Sequence, residues 1–118
     1  MRILPRALSL LLMLAVLATA ARADTIIFPS QARRYADRQV TVRGVIAHVR
    51  DQGSVVWLDF GGKAPNRLSL AVYPSAVTAF NDSATLMSKT VDVTGTVRLK
   101  SGQPWIEVRA PSQLFVKD

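Results

Sequence analysis

The chain has no cysteine and a single histidine, His48. The first absence excludes disulfides, which small exported domains commonly use for stability, and a cysteine-linked lipid anchor. The two together exclude Cys/His zinc sites, because such sites need several ligands. Acids are scarce, with eight Asp and Glu against 15 Lys and Arg. Asp24, Asp37, Asp51, Asp59, Asp82, Asp92, Glu107 and Asp118 stand apart, with no close pair to hold a metal for hydrolysis. No nucleophile motif of Ser, Cys or Thr is present. Asp59, just ahead of Gly61-Gly62, reads as a residue that holds a turn through backbone hydrogen bonds. The sequence therefore predicts a non-enzyme without metal or cofactor.

No span of the membrane is expected. The uncharged run over residues 7–21 is 15 residues long, short of the roughly 20 needed to cross a bilayer. It follows Arg2 and Arg6 and ends in Ala21-Arg22-Ala23, with small residues three and one before a cut. This is the pattern of a cleavable secretion signal over 1–23. One domain over 24–118 then remains, 95 of the 118 residues, enough for a modest core. Arg2, Arg6 and Arg22 leave with the signal, so the balance becomes 12 basic against 8 acidic residues, or +4. A charge of that size permits an anionic partner without demanding one.

What is present is period-two alternation, the mark of half-buried strands. Pro29-Ser30 introduces a short helix over 31–37. A first long strand runs over 40–50 with Gly44 inside it, where a bulge or bend is expected. Asp51-Gln52-Gly53-Ser54 turns the chain into a strand over 55–60, and a Gly/Pro/Asn loop leads to a third over 68–73. Pro74-Ser75 breaks the sheet. Val77, Phe80 and Ala84 fit a short helix broken near Asn81-Asp82-Ser83. A fourth strand covers 90–100 with Gly95 at its bend, and Ser101-Gly102-Gln103 leads to a fifth over 104–109. The tail over 113–117 is placed to add a short pairing. Val40-x-Val42-x-Gly44-x-Ile46 is echoed by Val91-x-Val93-x-Gly95-x-Val97, two long strands that coil at a central glycine. Three strands, a short helix and two strands is the layout of a five-stranded OB-fold-like Greek-key barrel, an all-β fold with one or two short helices.

Val42-Arg43-Gly44-Val45, Leu58-Asp59-Phe60-Gly61-Gly62 with Pro65-Asn66, Val91 to Val97, and Gly102-Gln103-Pro104-x-Ile106-Glu107-Val108 resemble small secreted bacterial OB-fold domains of the nucleic-acid-binding type. The resemblance covers residues 38–116 and implies the fold more than the activity.

Alternation assigns the outward set. Val55, Trp57 and Asp59 face out on the second strand and Ser69, Ala71 and Tyr73 on the third. Asp92, Thr94, Thr96, Arg98 and Lys100 do so on the fourth, with Leu99 inward, and Trp105, Glu107 and Arg109 on the fifth. Aromatic faces stack on bases while Arg and Lys follow phosphates. The expected ligand-binding residues are therefore Trp57, Tyr73 and Trp105 with Arg43, Arg50, Arg67, Arg98 and Lys100. The competing reading is that Trp57 and Trp105 only cover barrel edges. Two functions stay open for a chain expected in the periplasm or outside the cell. One is binding of single-stranded nucleic acid, and the other is contact with a protein or cell-envelope partner.

Overall fold

The computed structural model describes residues 25–77 and 83–117. The expected signal, and the helix positions Phe80 to Asp82, lie outside them. Among the described residues seven strands are present: β1 Ile26–Ile27, β2 Gln39–Asp51, β3 Val56–Phe60, β4 Ser69–Val72, β5 Thr90–Lys100, β6 Gln103–Val108 and β7 Leu114–Val116. β2 pairs antiparallel with β3 and with β5, β3 with β4, and β5 with β6, while β4 and β6 run parallel. The ring β2-β3-β4-β6-β5 thus closes on itself. It is the OB-fold barrel that the strand order predicted.

The two long strands make the closure. β2 pairs with β5 up to Val45 and with β3 from Ile46. β5 pairs with β2 up to Thr96 and with β6 from Val97. Each therefore changes partner two residues after its glycine, which is why the echoed pattern carries Gly44 and Gly95 at matching places. The bulge itself sits further on, between Ile46 and His48. It shifts the phase of alternation, because Val40, Val42 and Ile46 point into the core while after it Val49 packs inward and Arg50 outward. Without that extra residue Arg50 would face the interior.

The interior is filled by Ile46, Leu58, Phe60, Leu68, Leu70 and Ile106 with Val40 and Val42 of β2 and the valines of β4, β5 and β6, all buried. The segment Pro29–Tyr35 is a 3-10 helix and not the α-helix implied by the cap reading. It buries Ala32 completely and closes one end of the barrel. Among the described residues between β4 and β5 are an α-helical turn, Pro74–Val77, and a 3-10 turn, Ser83–Leu86. Ser101 and Gly102 both take positive φ, 52° and 81°, a two-residue hairpin turn that matches strand twist. The tail forms β7 against β5, and β1, two residues long and parallel to β2, was not legible in the sequence.

Three facing assignments are corrected. Asp59 is buried, at 4% exposure, because Arg50 and Ser69 close over it. Ala71 is buried because its cross-strand neighbours on the outer face are the far larger Trp57 and Glu107. Leu99 is 45% exposed because its partner is Pro104, near the hairpin tip and beyond the closed part of the barrel.

Gln113 ties the C-terminal end to the barrel. Its amide nitrogen donates to the carbonyls of Thr94 and Glu107 at 3.0 and 2.9 Å. Its side-chain oxygen accepts from the backbone N–H groups of Arg109 and Ala110 at 2.8 and 3.0 Å.

Candidate functional site

Cross-strand register builds one outer face from β3, β4 and β6. Asp59, Ser69, Trp105 and Arg98 share a row, and Trp57, Ala71 and Glu107 share the next. The central strand offers only Ser69 and Ala71, both small, so the two indoles lean towards each other across it. Their ring centroids lie 6.3 Å apart at 53°, a tilted geometry favoured by the ring quadrupoles. Both tryptophans are half-buried. They therefore support the sheet on one side and present ring surface on the other.

A hollow of about 530 Å³ opens here, walled by Trp57, Trp105 and Tyr73, with Arg50, Lys100 and Gln103 at its margin. A second hollow adjoins it through Arg50, Ser69 and Gln103 and carries the track on to Arg67 and His48. The Arg50 guanidinium carbon stands 5.5 Å from the Trp57 ring, and that of Arg109 stands 4.1 Å from Tyr73, both within cation–π range.

Arg50 is held in place. Its Nε and Nη2 donate to the two carboxylate oxygens of Asp59 at 2.8 and 2.9 Å, and Ser69 Oγ donates to Asp59 at 2.6 Å. Burial alone would raise the Asp59 pKa. The bonds from Arg50 and Ser69, with the charges of Arg50 and Arg67, outweigh it and leave the carboxyl below its ordinary range. The expected turn-holding role is thus replaced by the positioning of Arg50. Three of the five guanidinium protons stay available for a ligand.

Of the eight residues the sequence selected, Trp57, Tyr73, Trp105, Arg50 and Lys100 surround the first hollow. Arg67 lines the adjoining one and donates to the Gly62 carbonyl at 3.2 Å. Arg98 is set opposite Trp105 but leans to Glu107, 3.8 Å away, and lines a separate polar hollow. Arg43 belongs elsewhere. It is bidentate to Asp92 at 2.8 and 3.0 Å on the β2–β5 face. Sequence reasoning turned Ser69 and Arg109 outward without selecting them as ligand-binding residues, and it placed Gln103 in a turn. The signal for selecting Arg109 was its place just past β6, two residues after Glu107 and four after Trp105. Among the described residues no group of three or more His, Asp and Glu is placed to hold a metal ion, and no helix is long and apolar enough to cross a membrane.

A scan against protein-family models and a search of curated proteins find no match. Solved structures do match. The hypothetical protein YgiW from E. coli aligns with TM-score 0.52 and 19% identity over 82% of this chain and 92% of that one. The OBody AM1L10, bound to hen egg-white lysozyme, aligns with TM-score 0.58 and 15% identity over 83% and 98%. An aspartyl-tRNA synthetase from Entamoeba histolytica aligns with TM-score 0.51 and 20% identity over 70% of this chain. This chain spans about a fifth of that synthetase, 19% of its length. At these identities the likeness is one of fold.

Proposed function

We propose that the chain is an exported, non-catalytic OB-fold binding protein that takes single-stranded nucleic acid across the Trp57–Trp105 face. One observation carries the reading. Three aromatic rings and the cations Arg50, Lys100 and Arg67 line one continuous track on a barrel face. Bases stack on the rings of such a track, and the backbone phosphates meet the cations. A tRNA synthetase among the structural neighbours agrees with it at the level of fold. The OBody, a similar barrel bound to hen egg-white lysozyme, supports a second reading, binding of an envelope protein.

A fluorescence titration against oligonucleotides separates the two. Near 50 mM salt, roughly where phosphate contacts are strong, binding is expected, and its log affinity falls steeply with log salt. Trp57→Ala costs about 1–3 kcal/mol of affinity through lost stacking. Lys100→Ala instead flattens the salt slope by about one unit, and Lys100 forms no ion pair among the described residues. Far-UV spectra of each variant confirm folding before binding is read. No oligonucleotide binding at low salt rejects the nucleic-acid reading and leaves the protein partner.

Export rests on the signal pattern and has its own test. The mature protein is expected to begin at Asp24, because Ala21 and Ala23 suit the small pockets of a signal peptidase. Mass spectrometry of exported material reads the new N-terminus, and an intact Met1 on that material contradicts cleavage.

A further inference from the structure

A second outer face, made by β1, β2, β5 and β7, is built quite differently. Ile26, Thr41 and Thr94 share a row. Arg43, Asp92 and Phe115 share the next, and Val45 stands opposite Thr90 in the third. Phe28, just past β1, lies beside Arg43. Ile26, Phe28, Val45 and Phe115 are 50%, 62%, 52% and 63% exposed, four of the seven large apolar side chains so exposed among the described residues. Such side chains are ordinarily scattered over a monomer, and a group on one face marks a contact surface.

The face also has a slot. β1 covers β2 only at Thr41 and Val42, and β3 takes over from Ile46. Between them the edge of β2 is open, and an apolar slot of about 500 Å³ lies there, lined by Phe28, Pro29, Val45, Ala47, Phe60 and Gly61. The row therefore reads slot, Arg43, Asp92, Phe115, with the projecting ring at the end opposite the slot.

We infer that this face binds a second copy of the chain. A two-fold axis parallel to the strands reverses the row, as an isologous contact requires. Phe115 then enters the partner's slot, twice per dimer, and Arg43 stands opposite the partner's Asp92. Lys117, 3.8 Å from Asp92, adds a further cation, so each Asp92 lies among cations of both chains. The two sheets pack face to face with aligned strands, as in a sandwich. The choice of a second copy over another partner rests on this self-complementarity. Knob and slot, acid and base, stand at mirrored places in one row. The inference does not depend on the nucleic-acid reading, because Trp57 and Trp105 lie on the other face.

Sedimentation velocity of the purified protein over a concentration series tests it. The native chain is expected to shift from monomer to dimer mass. Phe115→Asp and Val45→Lys each raise the dimer dissociation constant by about a hundredfold, since a buried aromatic anchor is lost at two symmetric places. Mixing the two variants restores dimer, because one Phe115 meets an intact slot and the Asp at 115 meets the Lys at 45. Both sites are more than half exposed, so folding is expected to persist, and Phe115→Ser repeats the first arm with a milder change. Three results overturn the inference. They are a native chain that stays monomeric throughout, a Phe115→Asp chain that dimerises as the native one does, and variants that do not recover dimer on mixing.

Discussion

Gly95→Val is expected to lower stability by about 3 kcal/mol and the melting temperature by roughly 12–24 °C for a domain of this size. A Cβ at Gly95 would lie 2.5 Å from Ile106 Cγ2 and 3.4 Å from Gln113 Nε2. Neither neighbour has room to move. Ile106 is fully buried, and Gln113 is fixed by its four hydrogen bonds. Gly44→Val costs less, about 2 kcal/mol. Its Cβ would meet Pro29 Cγ at 2.6 Å and Phe60 Cδ1 at 2.9 Å, but Pro29 sits on a short 3-10 helix at the end of the barrel and can shift. Thermal melts followed by circular dichroism read both. Native melting temperatures for both variants would show that the long strands do not need bare backbone where they change partner. The order of the two effects is a separate check, because it reports which neighbour yields.

The barrel was legible because its information is local. Alternation marks β2 to β6 one strand at a time, and the two glycines mark where each long strand changes partner. The tail pairing was legible for the same reason. What was not legible depends on distance across the sheet. β1 is two residues long and has no period to read. The facing of Asp59 follows from Arg50, nine positions away, reaching it after a bulge that resets the phase of β2. Ala71 obeys alternation but is covered by neighbours from two other strands. The meeting of Trp57 and Trp105 depends on the parallel β4–β6 pair, which joins residues 36 positions apart and leaves no mark on either strand. Arg43 shows the converse. Its residue type suits a phosphate contact, but its register partner is Asp92, and the ion pair places it on the face with Phe28 and Phe115. Side-chain type nominated the binding residues, and register decided which of them share a surface.

Asp59→Ala is expected to cost about 2 kcal/mol, since it removes two charge-assisted bonds from Arg50 and one from Ser69. The figure is kept modest because the Arg50 side chain is half exposed and returns to water when its partner is lost. Asp59→Asn keeps the shape and loses the charge, and with it the pH dependence. The native carboxyl titrates below its unfolded value of about 3.9. Its contribution is therefore complete above that value and fades as pH falls through the lower folded value. Urea unfolding from pH 7 down to about 3 should show the stability gap between native and Asp59→Asn chains narrowing below about pH 4. Asp92, lowered chiefly by the hydrogen bonds from Arg43, keeps its own acid sensitivity in both chains and cancels from the difference. A gap that stays constant over the whole range would contradict the pairing. The same substitution reaches the binding face at neutral pH, because Arg50 without its anchor no longer holds its place beside Trp57. Oligonucleotide affinity should then drop in a variant whose altered side chain is itself buried beneath the track.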